Sequence, residues 1–234
     1  DASVQRADRV FVHGFTQTPA SWESVVAAEP PRDVHDVDVF SRVPDGLSFV
    51  DVAHALGVFD ATYIGYSMGG RLCLQLALDR PEVVRRLVLV SASPGIADPA
   101  ERAARRDTDE ARAQEIERDG VDAFLERWLA QPMFATLARD QAGLDERRRD
   151  NTVHRLTSQL RVLGQGTQPS NWDRLGGLAM PVLLIVGELD PKYVEIARQM
   201  VAAIPDARIE VIAGTGHACH LERPEAVAHA LSSW

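Results

Sequence analysis

The sequence contains only two cysteines, a single lysine and no long apolar run. Two cysteines, Cys73 and Cys219, are too few for a disulfide scaffold, and their isolation disfavours a zinc site. No apolar run approaches the ~18–20 residues that span a bilayer. The net charge is −9, which disfavours a broad attraction to nucleic acid or to anionic lipid. These absences predict a protein with no metal site, no nucleic-acid partner and no membrane partner.

The remaining composition is that of an ordinary globular protein. The 234 residues are 45% apolar and 25% charged, which fits one sizeable domain, or one domain with an insertion. The first six residues lack a basic head followed by a long apolar stretch, so we expect a signal peptide to be absent or already removed. Reduced thiols are the default in the cytoplasm, and a cytoplasmic location is our expectation.

Short apolar segments alternate with helical segments along most of the chain. Predicted strands cover residues 9–12, 34–40, 61–65, 86–90, 182–186 and 208–212. Predicted helices cover residues 49–56, 68–79 and 194–204, with a last helix whose first turn contains Pro224. Strands that alternate with helices predict an α/β fold with a mostly parallel central sheet flanked by helices.

Residues 94–177 interrupt this alternation. They hold no strand candidate, and 12 of the 24 arginines lie between Arg102 and Arg161. Helical patterns cover residues 99–119, 121–130, 139–150 and 153–163. We therefore predict a core formed by residues 1–93 and 178–234, with a helical lid of residues 94–177 inserted between the fourth and fifth strands.

A G-x-S-x-G motif at residues 65–69 follows a predicted strand and opens a predicted helix. This context is typical of a nucleophile elbow, in which small residues on either side allow the central serine a strained conformation. The motif predicts Ser67 as the reactive residue, with its hydroxyl at the carboxyl edge of the sheet. The amide of Met68 then lies at the helix N-terminus, where it can stabilise developing negative charge.

The loop after the first strand contains His13, Gly14 and Phe15. In the elbow architecture this loop supplies the second amide of an oxyanion hole, which predicts Phe15 as the partner of Met68. We interpret His13 as a hydrogen-bonded structural residue rather than a base.

An acidic pair follows the fifth predicted strand. A carboxylate at this place can hold an imidazole in one tautomer and stabilise its charged form. Asp190 is the predicted residue and Glu188 is the alternative.

The histidine candidate follows the last predicted strand. His217 lies in a glycine loop that could reach a serine, whereas His220 is three residues further on and His229 lies in the last helix. The order Ser67, Asp190, His217 along the chain is that of an α/β-hydrolase triad.

Over essentially its whole length the sequence resembles the α/β-hydrolases. It resembles one subfamily more closely, the 2-succinyl-6-hydroxy-2,4-cyclohexadiene-1-carboxylate (SHCHC) synthases of the menaquinone pathway. The motifs that carry this resemblance are residues 13–16 with Trp22, 65–71, 93–96 followed by 101–105, Trp128 with 131–134, 164–169 with Trp172, 187–190 with 192–193, and 216–218 with 220–222. The motifs between 93 and 134 lie largely in the insertion, where the general fold dictates little, so they are the more specific.

The resemblance implies a lyase reaction rather than a hydrolysis. The family's substrate carries three carboxylates and loses pyruvate after a proton is removed from its ring, with a histidine-activated serine as the base. The family's arginines hold the carboxylates, and by motif they correspond to Arg71, Arg105 and Arg148. The run of three arginines leaves Arg147 and Arg149 as alternatives to Arg148. An arginine fork is a suitable partner for a carboxylate.

The resemblance also implies the remaining features of the site. Tyr66, Trp128 and Phe134 correspond to pocket positions. The implied ligand is a small anionic substrate, no cofactor is needed, and the chain is expected to be a monomer or a homodimer.

Two places depart from the family pattern. Residues 38–48 lack the Asp-x-Pro-Gly-His-Gly-x-Ser loop that follows the second of these strands in the family, and this loop helps to shape the pocket floor. Pro191 directly after Asp190 is less typical and affects local turn geometry.

Two other functions remain compatible with the fold. An esterase or carbon–carbon bond hydrolase would use the same triad with Ser67 as nucleophile and water completing turnover. A pseudo-enzyme or small-ligand receptor would not need Ser67, Asp190 and His217 together. The fold alone does not decide among these. A pocket ringed by arginines favours the lyase, and a pocket ringed by apolar side chains favours the hydrolase.

Overall fold

In the computed structural model, which describes residues 4–43 and 46–234, six parallel strands form one sheet. The strands are β1 (Gln5–Val12), β2 (Val34–Val37), β3 (Phe59–Tyr66), β4 (Val84–Val90), β5 (Val182–Gly187) and β6 (Ala207–Ile212). Their order is β2-β1-β3-β4-β5-β6. The order reverses between β1 and β3, and ligands of open parallel sheets bind at such a switch point. The predicted α/β fold with a mostly parallel sheet is confirmed.

The described segments of the chain also contain ten α-helices. They are α1 (Glu23–Ala27), α2 (Phe49–Ala55), α3 (Met68–Asp79), α4 (Pro99–Asp119), α5 (Val121–Leu129), α6 (Leu144–Asp150), α7 (Val153–Leu163), α8 (Pro191–Ala203), α9 (Cys219–Glu222) and α10 (Pro224–Ser233). Within the described residues, no helix has both the length and the apolar composition that a membrane crossing requires.

The central strands β1, β3, β4 and β5 are mostly buried on both faces, as their continuous apolar segments require, whereas the edge strands β2 and β6 are partly exposed. Successive residues of a strand point to opposite faces, so Val10 packs with one apolar cluster and Phe11 with the other. The cluster on the first face includes Leu72 and Leu76 of α3. The cluster on the second face includes Val227 of α10. The buried sheet is therefore a rigid support for the loops at its carboxyl edge.

The second strand is shorter than the sequence pattern predicts. The prediction extends to residue 40, whereas β2 ends at Val37. The carboxylate of Asp38 accepts a hydrogen bond from the amide of Phe40, 3.2 Å away, and caps a short 3-10 turn over Val39–Arg42. This local cap competes with strand pairing, and the backbone forms the turn in place of a longer strand. Of the segment 38–48, which departs from the family pattern, Pro44 and Asp45 lie outside the described residues.

Residues 94–177 are all described, and they contain the four helices α4–α7 between β4 and β5. The helices α4 and α7 pack against each other through a small apolar cluster that includes Ala113 and Leu160. The predicted helix 139–150 begins only at Leu144, because Gly143 has a φ of 62° and interrupts the helical backbone. The boundaries 94 and 177 of the lid stay a prediction.

The two cysteine thiols provide a direct test of the fold. Cys73 lies in α3 and Cys219 in α9, and both are free and buried. Burial raises the pKa of the Cys219 thiol to about 12 and raises the pKa of the Cys73 thiol as well. We expect neither thiol to react with an alkylating reagent at pH 8 in the native protein, because the thiolate is the reactive form. Titration in denaturant without reductant should count two thiols, whereas a count of zero would reveal a disulfide.

Candidate active site

Ser67 lies between the end of β3 and the start of α3. Its backbone has a φ of 49°, a left-handed conformation that is strained for any residue with a side chain. The flanking glycines make this turn possible, since a Cβ atom on Gly65 would lie 2.5 Å from the backbone of Gly69. The amide of Ser67 donates a hydrogen bond of 2.9 Å to the carbonyl of Val90 in β4. The turn therefore has the conformation of a nucleophile elbow.

The side chains of Ser67, His217 and Asp190 lie in a row, each within hydrogen-bonding distance of the next. The Nδ1 atom of His217 is 2.7 Å from the carboxylate of Asp190, and its Nε2 atom is 3.4 Å from the hydroxyl oxygen of Ser67. His217 and Asp190 are buried, at 2% and 8% exposure. With Nδ1–H donating to Asp190, Nε2 is free to accept the serine proton. A separation of 3.4 Å is typical of a resting site that tightens when substrate binds.

Glu188, the alternative acid, holds a different part of the histidine loop. Its carboxylate accepts a hydrogen bond of 2.8 Å from the amide of Gly214. On the other side of the loop, the carboxylate of Glu222 accepts one of 3.0 Å from the amide of Gly216. Both acids thus hold the backbone that carries His217. Sequence analysis places Glu222 in the motif of residues 220–222 but predicts no role for it.

Neither alternative histidine takes the place of His217. His220 is fully buried, and its Nε2 atom lies 3.3 Å from the side-chain oxygen of Gln17. Burial lowers the pKa of His220 well below its ordinary value, so this ring is neutral. Its ring centroid is 4.1 Å from that of Tyr66. His229 is exposed on α10.

Phe15 and Met68 line the same cavity as Ser67. Among the described residues, neither amide donates to a protein acceptor. Met68 is the first residue of α3, where the helix dipole adds positive potential. This arrangement can stabilise negative charge on an oxygen, although the role of the two amides stays a prediction.

His13 supports the loop that carries Phe15. The amide of Val39 donates a hydrogen bond of 3.1 Å to Nε2 of His13, which leaves Nδ1–H to donate to the carbonyl of Gly14 at 2.9 Å. The ring has no exposed surface. His13 is therefore a structural residue, as the sequence reading interprets it.

The lid binds directly to the loop that carries Phe15. Thr16 has a φ of 67° and is held by two lid residues. The guanidinium of Arg147 donates to its hydroxyl, and the side-chain amide of Asn151 donates to its carbonyl at 2.8 Å. A β-branched residue with this φ is strained, so these two bonds stabilise an unfavourable backbone conformation.

The lid reaches two further parts of the core. The guanidinium of Arg155 forms an ion pair of 2.7 Å with Asp38 after β2. The carbonyl of Met133 accepts a hydrogen bond of 3.3 Å from the amide of His217. The lid is thus joined both to the loop that carries Phe15 and to the loop that carries His217.

A cavity of about 290 Å³ lies between the sheet edge and the lid. Arg71 lines it and is 5% exposed. Among the described residues, its guanidinium has one hydrogen-bond partner, the side-chain oxygen of Gln168 at 3.5 Å. Among the described residues, no carboxylate lies within ion-pair distance of Arg71, and its Nε atom has no partner. Burial lowers the pKa of Arg71 to about 10, so the group is still charged at neutral pH.

Arg105 lines the same cavity but has an acidic partner. Its Nε atom lies 3.0 Å from the carboxylate of Asp109, and its Nη1 atom lies 2.7 Å from the side-chain oxygen of Gln165. Arg71 and Arg105 therefore differ, because Arg105 is paired with an acid and Arg71 has no acidic partner among the described residues.

The assignment of Arg148 to the pocket is wrong for this structure. Its guanidinium lies 2.7 Å from the carboxylate of Glu126 on the outer side of the lid, and Arg149 pairs with Asp150 at 2.9 Å. Successive residues of a helix point about 100° apart, so only one of three adjacent arginines can face inward. In α6 that residue is Arg147, which contacts Thr16 instead of the cavity.

Of the three aromatic residues predicted to form the pocket, one lines the cavity and two pack beside the triad. Trp128 lines the cavity. Tyr66 and Phe134 do not line it but pack beside the triad, with ring centroids 5.5 Å and 6.1 Å from that of His217. These two rings exclude water from one side of the imidazole.

Comparison with known proteins agrees with this geometry. The profile described as "Alpha/beta hydrolase family" matches residues 10–230. The chain belongs to the alpha/beta hydrolase family.

Relatives within this family share one name. The 2-succinyl-6-hydroxy-2,4-cyclohexadiene-1-carboxylate synthase of Serratia proteamaculans is 31% identical, over 97% of this chain and 94% of the relative. A Bacillus subtilis protein provisionally given that name is 32% identical, over 92% of this chain and 85% of the relative. The solved structure of MenH from S. aureus has a TM-score of 0.87 and 28% identity, and the alignment covers 100% and 95% of the two chains.

This alpha/beta hydrolase has one further arginine in its cavity that the sequence reading did not single out. Arg112 of α4 lines the cavity, and its guanidinium carbon lies 5.6 Å from the ring centroid of Trp128. Arg105, Asp109 and Arg112 are spaced four and three residues apart, so they share one face of α4. That spacing is the signal in the sequence that could have identified Arg112.

Proposed function

We propose that this chain is an SHCHC-synthase-like lyase that eliminates pyruvate from a tri-carboxylate cyclohexene intermediate. The observation that carries the proposal is Arg71, a buried guanidinium in the Ser67 cavity with no acidic partner among the described residues. Burying an unpaired charge is costly, and an anionic ligand offsets that cost. The names of the Serratia and Bacillus relatives support the same activity.

The triad supplies the base in this proposal. His217 accepts the hydroxyl proton of Ser67 on Nε2, and the resulting imidazolium is stabilised by Asp190, 2.7 Å from Nδ1. The oxygen of Ser67 then removes a proton from a ring carbon of the substrate. Ser67 acts as a base here and forms no covalent bond to the substrate.

The electron pair left on the ring forms a new carbon–carbon double bond and breaks the carbon–oxygen bond to the leaving group. That group departs as the enolate of pyruvate and takes up a proton to become pyruvate. The negative charge that develops on oxygen during these steps can be stabilised by the amides of Phe15 and Met68. The proton that the enolate takes up comes from the imidazolium of His217, which restores the neutral imidazole beside the reprotonated Ser67.

The arginines orient the substrate and do not take part in proton transfer. Arg71 from α3 and Arg105 from the lid line the same cavity as Ser67, so they can bind two carboxylates of one ligand. Residues 94–177 act in this proposal as a lid that supplies half of the anion site.

The test is whether the purified protein releases pyruvate from the tri-carboxylate intermediate. We expect turnover, measured as NADH oxidation through added lactate dehydrogenase. A small neutral ester serves as the control substrate for the alternative hydrolase, which gains nothing from buried guanidinium groups. Absence of pyruvate together with rapid ester cleavage would replace the lyase proposal by a hydrolase.

A further inference from the structure

The lid side of the cavity holds several polar groups without partners. The side chain of Gln159 is 1% exposed, and neither its oxygen nor its nitrogen has a hydrogen-bond partner among the described residues. The indole Nε1 atom of Trp128 is also buried without a partner. Both residues line the cavity that contains Ser67. Buried donors that lack acceptors are costly, and a ligand in the cavity can satisfy them.

Arg112 lies in the same part of the cavity. Among the described residues, its guanidinium makes one hydrogen bond, 3.4 Å long, to the carboxylate of Asp109. The same carboxylate oxygen already accepts a shorter bond of 3.0 Å from Arg105. One carboxylate thus faces two guanidinium groups, which leaves a positive charge in excess beside the charge of Arg71.

The position of Arg112 is set by its surroundings. Its guanidinium carbon lies 5.6 Å from the ring centroid of Trp128, a distance at which a cation is attracted to the ring face. The helices α4 and α7 pack together next to it, which brings Gln159 to the same wall. The fork of Arg112 is therefore ordered before any ligand binds, which lowers the entropy cost of binding.

We propose that Arg112, with the side-chain amide of Gln159 and the indole N–H of Trp128, forms a carboxylate subsite on the lid side of the cavity. This inference rests on the proposed function and deepens it. The subsite takes the third carboxylate of the substrate, which Arg148 cannot reach while it pairs with Glu126 outside the cavity. Arg112 is then a specificity-determining residue for a tri-carboxylate.

The test compares Arg112→Met with Arg148→Met in the full-length protein. We expect Arg112→Met to raise KM for pyruvate release about tenfold with kcat within about twofold, because it removes binding that is equal in the ground and transition states. Arg148→Met should leave both constants within about twofold. Arg118→Met, which removes an exposed arginine from the same helix, is the matched control.

Two further variants separate binding from folding. Gln159→Leu should raise KM in the same direction as Arg112→Met, and Arg112→Lys should restore part of the loss because it keeps the charge without the fork. Thermal melting of each variant identifies any loss of fold. If Arg112→Met matches Arg118→Met while Arg148→Met raises KM, the subsite is overturned.

A binding measurement separates this inference from the proposed function. Calorimetric titration with tricarballylate, a simple tri-carboxylate, should show about tenfold weaker binding to Arg112→Met than to wild type. Wild-type protein that releases no pyruvate but shows this difference overturns the lyase and keeps the subsite. Wild-type protein that turns over while Arg112→Met binds and reacts normally overturns the subsite and keeps the lyase. Wild-type protein that neither reacts nor binds tricarballylate overturns both.

Discussion

Replacing Ser67 by alanine should lower kcat for pyruvate release by roughly 10³-fold or more. The hydroxyl of Ser67 is the group within reach of His217, at 3.4 Å from Nε2. Without it, neither a base nor a nucleophile remains at the elbow. The measurement is steady-state pyruvate release, with Ser24→Ala on the exposed face of α1 as the matched control.

The triad assignment makes a sharper prediction for the double variant. Adding His217→Ala to Ser67→Ala should cost little more, because residues that act as one unit lose their effect together. Asp190→Asn should lower kcat on its own, since it removes the carboxylate that fixes the imidazole tautomer. Losses that multiply independently in the Ser67 and His217 variants would contradict the triad.

Replacing Arg71 by methionine should reduce kcat/KM for the tri-carboxylate by roughly a hundredfold. The guanidinium is buried, charged and without an acidic partner among the described residues, so its donors are available to a substrate carboxylate. Methionine keeps much of the side-chain volume, which avoids the large cavity that alanine would leave. Removal of an unpaired buried charge should leave the melting temperature unchanged or raise it.

The control for Arg71→Met is a small neutral ester, whose slow cleavage should barely change. Arg105→Met should have a smaller effect than Arg71→Met, because Arg105 already shares its charge with Asp109 at 3.0 Å. Equal losses on the ester and on the tri-carboxylate would show that the substitution damages the triad rather than anion binding, and the proposed role of Arg71 would then fail.

Local patterns explain which parts of the fold could be predicted from the sequence. The helix α3 has the predicted bounds, since the G-x-S-x-G motif determines where it starts and apolar residues at helical spacing indicate that it continues. The elbow, Asp190 and His217 sit at the ends of strands, where parallel topology forces side chains to converge. By contrast, β2 ends early because the side chain of Asp38 caps a turn, and strand propensity carries no information about that bond.

Sequence analysis predicts less of the lid, because its arginines differ only in the side of the helix on which each one lies. Arg147, Arg148 and Arg149 are adjacent, and a motif match cannot tell which of them faces inward until the start of α6 is known. The sequence pattern predicts that this helix starts at residue 139, whereas α6 begins at Leu144. Sequence analysis does not identify Arg112 for a related reason, since half of the arginines lie in this region and six of those twelve form ion pairs on the surface.

The bonds between lid and core have a consequence for how this activity can change during evolution or in the laboratory. Asn151 holds Thr16 next to Phe15, and Met133 holds the backbone of His217. A chimaera that takes its lid from a relative with a different substrate would exchange the anion site and disturb the catalytic groups at the same time. New specificity should therefore arise through single substitutions on the inner face of α4, where Arg112 lies, while the lid residues that hold the two loops are retained.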